Sequence, residues 1–148
     1  MGCEGKCPGK GTCSGKCRAL GRVGDLCRSG MALVQVGDSG VAERILRFAL
    51  EMTREHELGP VLEAKAANGL GLAMRASGKL DEALGEFTTA LHLIGGRLGV
   101  ENRLYGVIRG NYLQVLAEQE RSAVRRLPQE EDGACRGVRV QGGATCRN

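Results

Sequence analysis

Residues 70–91 read LGLAMRASGKLDEALGEFTTAL. Gly78 separates two runs, and a helix from Pro60 is expected to stop there at about Ser77. The next helix is expected over 80–94, with Asp81 and Glu82 where negative charge suits a helix N-terminus. Gly71 and Ala83 lack bulk, so two helices can approach closely at that crossing. Phe87 then fills the gap beside them, and Ala90 leaves room for the next unit.

The same pattern stands 41 residues earlier. Gly37, Ala42, Leu46, Ala49 and Leu50 fall on Gly78, Ala83, Phe87, Ala90 and Leu91, and Gly30 falls on Gly71. Self-similarity at this period signals stacked helical hairpins. The helix over 41–58 carries one apolar stripe of Val41, Ala42, Ile45, Leu46, Ala49 and Leu50, and Gly59-Pro60 ends it. A preceding helix is expected from about Gly21. A third copy is degraded: Ile108, Asn111, Tyr112 and Val115 mark a helix over 101–118, with Tyr112 where a glycine belongs. Its second helix is expected as a short segment, 120–127, cut by Pro128.

These residues resemble the tetratricopeptide repeat, in a longer form similar to the repeats of kinesin light chains and many bacterial regulators. The period is 41 against about 34 for the common repeat. The resemblance covers roughly 22–127 and implies an all-α fold of antiparallel hairpins stacked as a short superhelix. It also implies a protein-binding scaffold, in which the first helices of successive hairpins line a concave surface. The inward positions map onto Lys65, Asn68, Leu72 and Arg75 in the second copy and onto Arg109, with Leu113 beside it, in the third. Two arginines, a lysine and an amide suit an acidic segment or a terminal carboxylate. Two and a half repeats leave an end for the tail, a second copy of the chain or a partner to cover.

Composition agrees with helices. Of 148 residues 42% are apolar but only 3% aromatic, so the core must be Leu, Ala, Val, Ile and Met. Residues 1–28 hold six basic and two acidic side chains, residues 29–119 nine and eleven, and residues 120–148 six and four. The basic ends lack the aromatic interleaving that nucleic-acid binding favours. No apolar run is long enough for a secretory signal or a membrane span. Lys6 stands where an N-myristoylation signal wants Ser or Thr. The expectation is a soluble, cytoplasmic protein. Three regions follow: a Cys/Gly/Lys-rich head over 1–20, disordered or ordered by metal, a repeat body over 21–127, and a loose tail over 128–148.

The head carries Cys-x-Gly-Lys-Cys twice, at 3–7 and 13–17. Three readings stay open. Cys3, Cys7, Cys13 and Cys17 could close around zinc or an iron–sulfur cluster, with neighbouring lysines offsetting the thiolate charge, although the x3 spacing is atypical. The lysines also raise the thiolate fraction, which suits thiol–disulfide chemistry. Otherwise the thiols form a reduced tail with no role. Cys27 reads as a small buried hydrophobe, and Cys135 and Cys146 are too isolated to assign. His56 and His92 form no ligand pair, and Gly9-Lys10-Gly11-Thr12 lacks the spacing of a phosphate loop. The chain is therefore expected not to be an enzyme but an adaptor. The alternative is a redox-responsive or metal-handling protein whose repeats only localise the thiols.

Overall fold

The computed structural model describes residues 15–126. They form five helices and, among the described residues, no strand: α1 (Gly15–Gln35), α2 (Ser39–Glu55), α3 (Pro60–Ala76), α4 (Leu80–Leu98) and α5 (Arg103–Arg126). The all-α expectation holds. Cys3, Cys7, Cys13, Cys135, Cys146 and the whole of the expected tail lie outside the described residues.

Two boundaries differ from the sequence reading. α1 starts at Gly15, ahead of Gly21. Its glycines weaken it locally, but Ala19 and Val23 are buried with Ala49 and Met52 of α2, and that packing carries the helix toward its N-terminus. The segment 120–127 is not a separate helix, because α5 runs unbroken from Arg103 to Arg126. Residues 111–126 contain neither glycine nor proline. The first obstacle is Pro128, which disfavours helical geometry at the residue before it.

The hairpin repeat is present in atomic detail. At the α1–α2 turn Gly37 takes φ +88°. Its N–H donates to the Val34 carbonyl at 3.2 Å, and the Asp38 N–H donates to Leu33 at 3.0 Å. At the α3–α4 turn Gly78 takes φ +77°. Here Gly78 donates to Arg75 and Lys79 to Met74, both at 2.9 Å. Both turns are the Schellman termination, whose left-handed position glycine fills without steric cost.

The crossings repeat as well. A Cβ on Gly30 would lie 2.5 Å from Leu46, and one on Gly71 would lie 2.9 Å from the Phe87 ring. Leu46 also presses on Gly69 of α3, 3.0 Å from where a Cβ would stand, so it sits where α1, α2 and α3 meet. Each hairpin is thus pinned by a bulky side chain of its second helix seated on a glycine of its first.

Consecutive helices pack against each other, and α3 also adjoins both α1 and α5. The odd-numbered helices therefore form a row, whereas the α2 and α4 backbones do not approach each other. One continuous core runs from Ala42 and Leu46 through Leu70, Met74, Phe87 and Ile94 to Ile108 and Val115. Lys79 Nζ meets Glu43 of α2 at 2.9 Å, and Arg54 of α2 meets Glu63 of α3 at 2.7 Å. The 41-residue match ends at α5. Gly110, which stands 41 residues after Gly69, has nothing within 4 Å of its Cβ position.

Candidate functional site

Lys65, Asn68, Leu72 and Arg75 recur at helical spacing on one face of α3. At 3.6 residues per turn that face lies opposite Leu70, Ala66 and Ala73, which are buried. The four side chains remain exposed or half-buried. Asn68 Oδ1 accepts from the Asn111 side-chain amide of α5 at 2.9 Å. Arg75 donates through Nε to Glu118 at 3.0 Å and through a terminal nitrogen to the other Glu118 oxygen at 2.5 Å, while its second terminal nitrogen reaches Gln114 at 2.8 Å. This is the bidentate carboxylate geometry that arginine favours. The sequence reading expected an incoming carboxylate near Arg75, and here one comes from within the chain. Arg75 holds the Glu118 carboxyl below the ordinary carboxylate range, chiefly by hydrogen bonding. Leu72 and Val34, with the Arg75–Glu118 pair, line a shallow depression of about 370 Å³.

Arg109 does not join this group. It is exposed, and the step of nine residues to Glu118 turns an α-helix about two and a half times. Arg109 and Leu113 therefore face away from α3.

A second set of residues does join it. Arg75, Glu118, Arg121, Arg125 and Arg126 line a cleft of about 500 Å³ beside the α3–α4 turn. It shares the Arg75–Glu118 wall with the Leu72 depression. Four arginines and one carboxylate, that of Glu118, are among the residues that line it. Arg121, Arg125 and Arg126 lie in the segment read as a degraded second helix, so their convergence on Arg75 was not foreseen. The available signal was arginine at i, i+4 and i+5 ahead of a proline.

Of the proposed thiol ligands only Cys17 is described, exposed in the first turn of α1. Cys27 is half-buried, and loss of hydration pushes its thiol pKa up, as expected for a packing residue. Among the described residues no three His, Cys, Asp or Glu side chains converge as a metal site. His56 caps the C-terminus of α2, and His92 lines an open cleft of about 450 Å³ with Tyr105 and Tyr112. No helix among the described residues is long and apolar enough to cross a membrane. In comparisons with known proteins, no family model, no curated protein and no solved structure matches the chain.

Proposed function

We propose that the protein is a non-catalytic adaptor whose stacked hairpins form a short tetratricopeptide-like superhelix that binds an acidic segment of a protein partner. Support for the superhelix comes from the duplicated turns and glycine crossings, and from a row of odd-numbered helices beside even-numbered ones that stay apart. Helices that adjoin on one side of a stack and separate on the other curve it toward the adjoining side. The concave surface is then the α1–α3–α5 face, which carries Lys65, Leu72 and the arginine cleft.

The observation that carries the reading is that cleft. Arg121, Arg125 and Arg126 line it together with Arg75 and the single carboxylate of Glu118, so arginines outnumber carboxylates in its wall. An acidic segment lying from Lys65 toward Arg126 would meet charge-assisted donors along its length. The test is titration of a fluorescein-labelled acidic peptide with a free C-terminal carboxylate into the full chain, followed by anisotropy. Replacing Arg121, Arg125 and Arg126 together by Glu is expected to weaken binding at least tenfold, and Arg97→Glu on α4 to leave it unchanged. Equal binding by both variants overturns the reading.

The proposal includes an ion or cluster port at Cys3, Cys7, Cys13 and Cys17, supported by the clustering of four cysteines with neighbouring lysines and by the exposure of Cys17 at the start of α1. Metal analysis and absorption spectra of anaerobically purified protein test it. Zinc or cluster absorption lost in Cys3→Ser and Cys13→Ser variants supports the port. Metal-free protein with reversible disulfides favours the thiol-redox alternative.

A further inference from the structure

The outward face of α5 has no partner among the described residues, and its composition is not that of a water-facing surface. Gly106, Gly110, Leu113, Ala117 and Val124 recur at helical spacing, and all are exposed. Val124 keeps 66% of its surface exposed and Leu113 49%. Between Ala117 and Val124 the spacing passes over Glu120 and Arg121, which stand to either side of the stripe. Arg109 and Glu120 border it on one side, and Arg103 and Arg121 on the other. A helix apolar on two faces is one that packs on two sides. The inner face of α5 is occupied by α3 and α4, with Ile108 and Val115 buried.

We propose that this face pairs with α5 of a second copy of the chain, antiparallel, about a two-fold axis at the level of residue 115. The stripe is self-complementary in that register. Val124 meets the space over Gly106 of the other copy, where nothing lies within 4 Å of the Cβ position. Leu113 meets Ala117. In an antiparallel pair like flanks face each other, so Arg109 of each copy faces Glu120 of the other, and the charge pair forms twice. Among the described residues neither side chain is engaged in an ion pair. Isologous pairing of this kind is the commonest closed symmetry. It would cover the stack end that an incomplete third repeat leaves open, and would double the number of arginine clefts per assembly. A contact one helix long is smaller than the ~800 Å² per partner of a standard interface, so the dimer is expected to be concentration-dependent, with Kd on the order of micromolar.

Sedimentation equilibrium of the reduced full chain from about 1 to 200 µM, spanning that Kd, tests this. The expected result is a monomer that becomes a dimer across the series. Leu113→Lys is expected to stay monomeric throughout. Arg109→Glu should weaken the dimer about tenfold, and the double variant Arg109→Glu/Glu120→Arg should restore it. A wild-type monomer at every concentration overturns the proposal, as it would if residues 127–148 or a different protein covered the stripe. A dimer indifferent to Leu113→Lys also overturns it, as does a charge swap that fails to restore pairing. Peptide binding at the arginine cleft is read separately, so failure here leaves that reading untouched.

Discussion

α3 buries eight of its 17 residues, whereas α5 buries two of its 24. The two helices come from corresponding places in the repeat, so the difference comes from their neighbours. α3 packs against all four other helices, α5 against only two. Small residues at 64, 66, 67, 69, 71 and 73 let α3 accept that crowding. In α5 the glycines at 106 and 110 have open space around them. A glycine in a helix is therefore structural where a neighbour presses on it and a plain loss of helix propensity where none does.

That contrast is broken most forcefully at the side chain that presses. Phe87→Ala should lower stability by about 3–5 kcal/mol, the usual range for emptying a buried aromatic site. Val107→Ala, at a position 51% exposed on α5, should change it by less than about 0.5 kcal/mol. Denaturant midpoints at constant slope would show both, and comparable losses would mean that α5 is buried in a way the fold does not contain.

The paired glycines sharpen the contrast with opposite signs. Gly71→Ala places a methyl 2.9 Å from the Phe87 ring, and the forced shift should cost a net of about 1–3 kcal/mol. Gly110→Ala meets nothing within one chain and, at concentrations where the protein is monomeric, should gain up to about 1 kcal/mol from helix propensity. Thermal melts of the two variants should move in opposite directions from wild type.

The smallest effect separates two ties that look alike. Lys79 holds Glu43 below the ordinary carboxylate range, chiefly by hydrogen bonding, as Arg75 holds Glu118. A carboxyl depressed in the folded state binds fewer protons there than in the unfolded chain. Its contribution is complete above the ordinary range near pH ~4 and disappears as pH falls through its lowered folded value. The Glu43 side chain is 12% exposed and that of Glu118 32%. Glu43→Gln should therefore cost about 1 kcal/mol at neutral pH and Glu118→Gln a few tenths, because exposed pairs are screened. Both deficits should shrink in acid. Deficits that persist there would assign the ties to neutral hydrogen bonding.

What the sequence made legible was whatever a repeat encodes locally. Gly37 and Gly78, Gly30 and Gly71, Leu46 and Phe87 announce turn, crossing and filler by spacing alone, and each stands where the spacing put it. The strip on α3 was legible for the same reason, since Lys65, Asn68, Leu72 and Arg75 share one face. Arg109 was assigned through a third copy in which the repeat had already failed, and it came out on the other side of α5. The arginine cleft was not legible because it depends on how far α5 runs. The repeat pattern placed a turn near 119, although residues 111–126 hold no glycine or proline to make one, and only the unbroken helix puts Arg121, Arg125 and Arg126 in one cleft with Arg75.

The turns at 37 and 78 leave the architecture extensible. Both seams close with the same two backbone bonds and hand the chain to the following helix in the same conformation, with Asp38 and Lys79 at φ −85°. A gene that copied residues 38–78 in tandem would meet a compatible junction at either end. Length in such a molecule is counted in whole modules, and among the described residues no strand closes a sheet that would set an upper limit.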